Sequence, residues 1–445
     1  MLDIKLIREN PDKVKKGIAA KGAPADLVGQ VLKVDTERRK LQTELDVIKA
    51  EKNKLGKEIG KLSPEERDAR IAGLRAQDVK ADALEENFKK ASEELTKILS
   101  RIPNLPDDGV PSGRDETENV VAKTVGQPTK FKFDHTDYLT LAHEMDLVDT
   151  EAAAKVSGSR FGYLKGAAAC LQFALGQHVL NTLTNPKIIE KIAKSVDNSL
   201  TRVPFVPVVP PVMIREDAYW KTARIDLEDK EERYYIPKDE LYLIGSAEHT
   251  LAPMHMDEIL NENELPKRYL GFSTAFRREA GTYGKDTKGI IRVHQFDKWE
   301  MEVFADPKNS RTEYEFIIAV QEYLVSSLGL PYRVMLKCTG DIGGPNARGV
   351  DIDVWLPGEN NYRETHTADF MTDYQTRRLN TRLRRPNGDL EFVHTIDATA
   401  FAIGRMIVAI IENYQQADGS IKVPKVLQKY LPFKEIKGPF GMGNN

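Results

Sequence analysis

The chain has 445 residues, of which 30% are charged, and its formal net charge is −3 at neutral pH. This length predicts two or more domains, and the small net charge does not by itself indicate a nucleic-acid-binding protein. No apolar run approaches the roughly 18 residues of a membrane helix, and the charged start MLDIKLIREN lacks a secretory pattern. We therefore expect a soluble cytoplasmic protein with no membrane partner. Cys170 and Cys338 form no metal or redox motif, so we expect both to be buried thiols in a reducing compartment.

The first hundred residues predict helices. A short helix is expected over 3–20, and heptad-like apolar spacing then extends over 27–62 and again over 74–102. The intervening Ser63-Pro64-Glu65-Glu66 is a helix start signal, with serine as N-cap and proline at the first helical position. These patterns predict a long antiparallel helical hairpin, a coiled coil, within an N-terminal domain of residues 1–102.

The tip of this arm is basic. Residues 49–61 contain five lysines and two glutamates, an excess of +3, and Arg38 and Lys52 are the only breaks in the first apolar seam. Such a stretch can neutralise nucleic-acid phosphates, although a solvated helix face or a spacer coil has a similar composition. These residues alone leave both interpretations open.

A stretch rich in proline, glycine and aspartate begins after the arm and predicts a linker over 103–130. The remainder, residues 131–445, is expected to form a second domain. A helix is predicted from about Ala167 to Leu183, and RVPFVPVVPPVM over 202–213 predicts an edge strand, because proline cannot donate to a central ladder.

The most informative stretch is FRREAGTYGKDTKGIIRVHQFDKWE, residues 276–300. Apolar segments on either side of a polar, glycine-rich tip predict two antiparallel strands joined by a long loop. Arg277 and Arg292 near the starts of these strands could converge on one polyphosphate, since guanidinium meets phosphate oxygens in a two-pronged geometry.

Three further segments carry chemistry-bearing residues. LYLIGSAE over 241–248 predicts a strand that enters a turn and ends at Glu248, whose buried carboxylate would need a partner. Alternation over 351–355 predicts another strand, and RETHT follows over 363–367. His366 and His394 could suggest a transition-metal site, but two histidines without further ligand spacing favour other roles. HTIDATAFAIGR over 394–405 predicts a strand that leads into a helix.

Taken together, these segments resemble the signature motifs of class II aminoacyl-tRNA synthetases in the form carried by the seryl-tRNA synthetase family. The resemblance covers nearly the whole chain, from the arm to the VPKVLQKYL tail. It implies an α+β fold, in which an antiparallel β-sheet flanked by helices follows the N-terminal hairpin. It also implies a homodimer, with Pro210 or Pro211 at the dimer interface, and an arm that grips the long variable arm of serine tRNA.

The resemblance implies a reaction in which serine and ATP form seryl-adenylate, which then loads serine tRNA, with selenocysteine tRNA as a further acceptor. Arg277 would contact the α-phosphate and the amino acid carboxylate, and Arg292 and Arg405 would contact the γ-phosphate. Phe296 would stack on the adenine ring. The full set implied for ATP is Arg277, Arg278, Glu279, Arg292, Val293, Phe296, Glu364, Thr365, His366, Thr367 and Arg405.

Magnesium and serine have their own implied residues. Glu364 and Thr367 would hold Mg²⁺ through oxygen atoms. The residues implied for serine are Ser246, Ala247, Glu248, Arg277, Glu300, Asp397 and Thr399. Ser246, Thr365, His366 and Asp397 depart from the usual family pattern, and Asp397 adds a charge where an asparagine is usual.

Two alternatives follow from these departures. The first is an enzyme of the same fold that activates another small amino acid, such as threonine or alanine, or loads a carrier other than tRNA. The second is a non-catalytic RNA-binding relative. The long arm argues against a carrier-loading enzyme, and the intact charged residues argue against a protein without chemistry.

Overall fold

The computed structural model describes residues 1–58, 64–225, 233–279 and 288–438, and for residues 55, 56, 58 and 64–76 the description covers the backbone alone. The chain divides into two compact units, Met1–Leu105 and Pro106–Asn445. No helix in the described ranges is long and apolar enough to cross a membrane.

The first unit is helical, as its heptads predict. Its helices are α1 (Ile4–Glu9), α2 (Pro11–Ala20), α3 (Asp26–Glu58) and α4 (Pro64–Arg101). The single helix expected over 3–20 is two helices that meet at Asn10, because the ring of Pro11 and its missing N–H fit a helix start but not a helix interior. The start signal at Ser63 lies outside the described residues.

Helices α3 and α4 contact each other along the predicted seam, which confirms the hairpin. Leu27, Val31, Leu45 and Ile48 of α3 are buried. The two charged residues that interrupt the seam each have a partner on α4. The Arg38 guanidinium lies 5.8 Å from the centre of the Phe88 ring, and Lys52 forms an ion pair with Asp78.

The second unit is built on an eight-stranded sheet. Its strands are β1 (Val120–Val125), β4 (Val206–Val208), β9 (Lys267–Phe276), β10 (Gln295–Ala305), β11 (Tyr332–Leu336), β12 (Arg348–Leu356), β13 (Asn361–Thr372) and β16 (His394–Ala402). Their order in the sheet is β1-β11-β12-β13-β16-β10-β9-β4, and neighbouring strands are antiparallel, except that the edge strand β4 is parallel to β9. Since β1 pairs with β11, part of the segment expected to be linker belongs to the sheet.

Short strands form four smaller sheets at the margins. These strands are β2 (Val148–Asp149), β3 (Tyr163–Leu164), β5 (Met213–Arg215), β6 (Tyr235–Ile236), β7 (Leu241–Leu243), β8 (Ile259–Asn261), β14 (Arg382–Arg384), β15 (Leu390–Phe392), β17 (Ile421–Lys422) and β18 (Glu435–Ile436). The helices of this unit are α5 (Tyr138–Glu144), α6 (Thr150–Ser157), α7 (Gly166–Leu183), α8 (Pro186–Val196), α9 (Glu216–Lys221), α10 (Glu248–Leu251), α11 (Ser310–Ser327), α12 (Tyr374–Leu379) and α13 (Ile403–Tyr414).

The sheet buries one face against long helices, which leaves its other face to form a site. Helices α7, α11 and α13 contribute apolar side chains to one large core with the apolar residues of β10, β13 and β16. Strand β16 runs directly into α13, whose residues Met406–Glu412 are all buried. The antiparallel pairing of β9 with β10, the edge position of β4, and the β16–α13 connection confirm the corresponding sequence predictions.

The two cysteines differ from expectation in one respect. Cys338 is buried as predicted, but the prediction for Cys170 was wrong, because this residue lies on the exposed side of α7. Both cysteines are free thiols.

Candidate active site

A cavity of about 200 Å³ opens on the face of the sheet that the long helices leave uncovered. Many of the residues singled out in the sequence line this one space. They are Glu248, Arg277, Glu279, Arg292, Val293, Phe296, Glu300, Glu364, Thr365, Thr367, Asp397, Thr399 and Arg405. The chain supplies them from α10, β10, β13, β16, α13 and the segments that flank the loop between β9 and β10.

Three arginines and two glutamates of this lining form what we call the arginine cluster: Arg277, Arg292, Arg405, Glu279 and Glu364. Arg292 donates to Glu279 Oε2 at 2.7 Å, and Arg405 donates to the Glu364 carbonyl oxygen at 2.7 Å and to its Oε1 at 3.1 Å. Burial opposes ionisation of Glu364, but Arg405, with Lys337 and Arg277, outweighs it and lowers its pKa. This cluster therefore offers fixed positive charge that is only partly neutralised.

Backbone and ring contacts hold the arginine cluster in place. Arg277 donates from Nε to the Gly245 carbonyl oxygen at 3.0 Å, and its guanidinium lies 5.3 Å from the centre of the Phe296 ring. Glu279 has a positive φ of 53°, a conformation that side chains other than glycine adopt at a cost, and Arg160 donates to its carbonyl oxygen at 3.2 Å. Such local strain is common where a side chain must be aimed at a ligand.

A β-bulge brings Glu364 and Thr367 to the same side of the sheet. In a regular strand, residues three apart point to opposite faces. The pairing of β12 with β13 shifts between Ile352, which faces His366, and Asp353, which faces Glu364, so Thr365 is the extra residue. As a result Thr367 Oγ1 lies 3.3 Å from Glu364 Oε1 and both line the cavity, whereas His366 faces the core.

The oxygen atoms around this bulge fit a hard divalent cation. Asp351 lies opposite Thr367 in the β12–β13 register, and its buried Oδ1 has no hydrogen-bond partner among the described residues. Glu364, Thr367 and Asp351 together offer two carboxylates and a hydroxyl. Magnesium usually takes one or two carboxylates and completes its shell with water and phosphate, so this incomplete set suits it. Among the described residues, no group of three or more histidine, cysteine, aspartate or glutamate side chains is placed to hold a metal ion.

The second set of charges is more deeply buried, and we call it the acidic cluster: Glu248, Glu300, Glu302, Asp369 and Asp397, with the cations Arg224 and Lys298. Arg224 forms an ion pair with Asp397 and lies 3.4 Å from Asp369 Oδ2. Lys298 Nζ lies 2.5 Å from Glu300 Oε2 and donates to Ser246 Oγ at 3.0 Å. All except Glu302 line the cavity.

Burial and mutual repulsion shift the pKa values of the acidic cluster. Burial raises the pKa of Glu300 to about 8, despite the opposing charge of Lys298. Burial likewise raises the pKa of Asp397 to about 7, and that of Glu302 rises well above its usual range. For Glu248, burial is outweighed by Lys298 and other cations, and its pKa is lowered. Glu248 thus stays ionised, while neighbouring carboxyl groups of the cluster hold protons near neutral pH.

Four residues assigned to the site in the sequence do not line this cavity. Ser246 is buried and accepts a hydrogen bond from Lys298, so its contact with the site is the positioning of that lysine. Ala247 is buried at the start of α10, and Arg278 is exposed, with its guanidinium 5.8 Å from the centre of the Tyr234 ring. His366 is buried, and burial lowers its pKa to about 3, which leaves a neutral imidazole.

Sequence reasoning missed Arg224, Lys298, Glu302 and Asp369. A signal existed for three of them. Lys298 and Glu302 lie two residues before and after Glu300 and therefore share its face of β10, and Asp369 lies two residues after Thr367 on β13. Arg224 follows α9 without any local pattern, and its role depends on tertiary contacts alone.

Comparison with known proteins gives the same two-part organisation. Residues 1–106 match the family model of the seryl-tRNA synthetase N-terminal domain. Residues 231–414 match the model of the tRNA synthetase class II core domain (G, H, P, S and T). A relative from Dictyoglomus thermophilum named serine–tRNA ligase is 41% identical over 445 residues, with 98% of this chain and 99% of the relative covered. A relative of the same name from Bdellovibrio bacteriovorus is 37% identical, with 97% and 98% covered.

Solved structures agree over the same length. Seryl-tRNA synthetase from Pyrococcus horikoshii complexed with ATP matches with a TM-score of 0.88 and 39% identity, covering 98% of this chain and 99% of that chain. Cytoplasmic serine–tRNA ligase from Naegleria fowleri in complex with AMP matches with a TM-score of 0.82 and 30% identity, covering 97% of each chain.

Proposed function

The chain belongs to the seryl-tRNA synthetase family and ligates serine to tRNA with ATP, and from this premise we propose which residues perform each part of the reaction. The observation that carries the proposal is the convergence of Arg277, Arg292 and Arg405 on one cavity that also holds the buried carboxylates of Glu248, Glu300 and Asp397. One cavity therefore offers cations for a polyphosphate and acceptors for an ammonium and a hydroxyl group.

ATP binds at the arginine cluster in this proposal. Arg277 contacts the α-phosphate and the serine carboxylate, and Arg292 and Arg405 contact the terminal phosphate. Their present partners, Glu279 and Glu364, hold these guanidinium groups in position before the nucleotide arrives. The purine lies between Phe296 and the backbone near Val293, with Glu279 at its edge.

Glu364 and Thr367 would hold Mg²⁺, with Asp351 next to them. The ion would supply positive charge to the phosphate oxygens. The protein would contribute two oxygen ligands, and the bulge at Thr365 brings their side chains to the same side of the sheet.

Serine binds at the acidic cluster. Glu248, which stays ionised, accepts hydrogen bonds from the α-ammonium together with Glu300, while Asp397 and Thr399 accept the hydrogen bond of the side-chain hydroxyl.

The serine carboxylate oxygen attacks the α-phosphorus, the bond from that phosphorus to the bridging oxygen of the β-phosphate breaks, and pyrophosphate leaves. The 3′-terminal hydroxyl of tRNA then attacks the seryl carbonyl carbon and AMP leaves. The first step moves charge without proton transfer from the protein, so positioning and electrostatic stabilisation account for its catalysis.

The arm supports a proposal for tRNA binding. Lys54 and Lys57 of α3 are exposed, as expected for groups that contact phosphate. The charge excess of the tip is smaller than the single helix suggests, because Lys49 lies 3.0 Å from Glu85 and Lys52 pairs with Asp78 on α4. Grip on the variable arm of serine tRNA would depend on the lysines that α4 does not neutralise. Selenocysteine tRNA stays a prediction.

Exposed apolar residues support a homodimer. Along the edge strand β4 and its flanks, Val203, Val206 and Val209 are 52%, 53% and 84% exposed, and Phe173 of α7 is 73% exposed. An unpaired strand edge with apolar side chains is a surface that a second copy can cover. Pro211 is exposed there and Pro210 is buried.

Two free thiols agree with the reducing cytoplasm that we propose as the compartment.

The test is serine-dependent exchange of pyrophosphate into ATP without tRNA. Wild-type protein should exchange with serine, whereas Arg277→Ala should fall by about a thousandfold or more, since a group that contacts the reacting phosphate is lost. Arg333→Ala is the matched control, because Arg333 pairs with Asp353 outside the cavity, and it should keep most of the activity. Near-normal exchange in Arg277→Ala would refute the assignment.

A further inference from the structure

Three acidic residues lie side by side across three neighbouring strands beneath the serine pocket. In the antiparallel register, Asp397 of β16 is opposite Glu302 of β10 on one side and Asp369 of β13 on the other. All three are buried, with exposed fractions of 5%, 0% and 7%. Like charges directly opposite each other destabilise a sheet, so a buried row of this kind needs a counter-charge or must hold protons. We call Glu302, Asp397 and Asp369 the acid row.

The acid row has few partners among the residues that the structure describes. Arg224 is shared between Asp397 and Asp369. Glu302 has no hydrogen-bond partner for either carboxyl oxygen, and Asp369 has none for Oδ1, among the residues that the structure describes. Buried acceptors without donors are costly, and at a ligand site they mark positions where a ligand supplies the donors.

A serine hydroxyl supplies only part of the hydrogen-bond donors that the acid row lacks. It brings one donor and no charge, whereas an ammonium group in the same place brings three donors and a positive charge. Glu302 lies behind Asp397 and does not line the cavity, whereas Asp369 and Asp397 do line it, and the Oδ1 atom of Asp369 is the acceptor that a ligand could reach. The pocket is thus suited to a small side chain that donates hydrogen bonds and carries positive charge.

We propose that this site also activates β-ammonium amino acids, whose simplest member is L-2,3-diaminopropionate, the analogue of serine with an amino group in place of the hydroxyl. This inference rests on the proposed function, since it uses the same cavity and the same first step. The α-carboxylate oxygen of the amino acid forms a bond to the α-phosphorus and pyrophosphate leaves with the electrons of the broken bond. The side-chain ammonium keeps all its protons and changes no bond.

The opposing possibility is that Arg224 dominates the pocket. Its guanidinium also lines the cavity. There it could bind a side-chain carboxylate and repel a side-chain ammonium group. Aspartate is therefore the natural competing probe, and alanine, which has neither donor nor charge, is the blank.

The experiment measures pyrophosphate exchange with serine, L-2,3-diaminopropionate, aspartate and alanine, in buffers from slightly acidic pH, where both amino groups of the probe are protonated, to neutral pH, where more of Asp397 is ionised. Wild-type protein should show diaminopropionate-dependent exchange at least about tenfold above the alanine blank. Asp369→Asn should lower kcat/KM for diaminopropionate by about tenfold or more, as loss of a charge-assisted hydrogen bond does, and this loss should clearly exceed the loss in kcat/KM for serine. Glu322→Gln, on α11 and paired with Lys123, should change neither.

The outcomes separate this inference from the proposed function. Exchange with serine but not with diaminopropionate in wild-type protein overturns the inference and leaves the proposed function standing, whether or not Asp369→Asn folds. Equal losses for both substrates in a folded Asp369→Asn variant also overturn it, because they would show a general structural role. Exchange with aspartate would overturn it in favour of Arg224. Absence of exchange with serine would remove the proposed function, and the inference with it.

Discussion

The arginine cluster and the acidic cluster share one cavity but are built in different ways. Arg277, Glu279 and Arg292 come from one continuous stretch of chain, and the side chains of Arg292 and Arg405 keep 28% and 24% of their surface exposed. The acidic cluster collects residues from distant segments, and the side chains of Asp369 and Asp397 are only 9% and 7% exposed. Charges near the surface are partly solvated and tolerate imperfect pairing, whereas buried charges depend on each partner. The two clusters should therefore respond differently when one charge is removed.

The largest expected effect is on stability. Arg224→Met should destabilise the second unit by about 3–5 kcal/mol, because it leaves Asp369 and Asp397 buried without their cation. Arg405→Met, the matched change in the arginine cluster, should cost less than about 1 kcal/mol of stability, since Arg405 is partly exposed. All three tryptophans, Trp220, Trp299 and Trp355, lie in the second unit, so denaturation followed by tryptophan fluorescence reports on that unit.

A double variant sharpens this test. Adding Asp397→Asn to Arg224→Met removes one of the two unpaired carboxylates and should recover part of the lost stability. Similar stability for Arg224→Met and Arg405→Met would show that the two clusters do not differ in the way their burial implies.

A smaller effect concerns pH. Burial raises the pKa of Glu300 from 4.5 to about 8, so between these values the folded state holds a proton that the unfolded state has released. The stabilising contribution is complete below pH 4.5 and is lost as pH rises to about 8, with a slope on the order of 1 kcal/mol per pH unit. Glu300→Gln removes this titration, so its free energy of unfolding should fall less steeply than that of the wild type across this window. The measurement is fluorescence-monitored denaturation at several pH values, and parallel curves for the two proteins would contradict it.

Much of the fold could be predicted from the sequence, because its signals are local. Heptad spacing predicts α3 and α4, apolar segments around a glycine-rich tip predict β9 and β10, alternation over 351–355 predicts β12, and the proline-rich stretch predicts the edge strand β4. The arginine cluster could be predicted for the same reason, since a continuous motif contains most of it. Arg405 was added only by the resemblance to the class II motif that ends in Gly404-Arg405, and the structure places it beside Glu364.

The acidic cluster could not be predicted in full, because its geometry depends on events that leave no local pattern. The bulge at Thr365 places Glu364 on the same cavity face as Thr367 and Asp369, while His366 faces the core. Strand register then places Asp397 between Glu302 and Asp369. A sequence gives the alternation of a strand but not the position of its bulge or the identity of the residue opposite. Asp397 could be noted as an added charge, but Arg224, its partner, could not.

The smallest expected effect lies outside both clusters, on the arm. Lys57→Ala removes an exposed cation of α3 and should weaken binding of serine tRNA by about twofold to fivefold and reduce its salt dependence by about one ion, as loss of one phosphate contact does. Lys97→Ala is the matched control, because Lys97 is also exposed but lies near the other end of the hairpin, in the last part of α4. Tritiated-tRNA filter binding at several salt concentrations measures the affinity, and serine-dependent pyrophosphate exchange without tRNA should stay at the wild-type rate in both variants. Equal losses of affinity in the two variants would mean that tRNA binding depends on the overall charge of the arm and not on the position of Lys57. A fall in exchange would mean that the arm influences the cavity, and the two clusters could then no longer be treated as a self-contained pair.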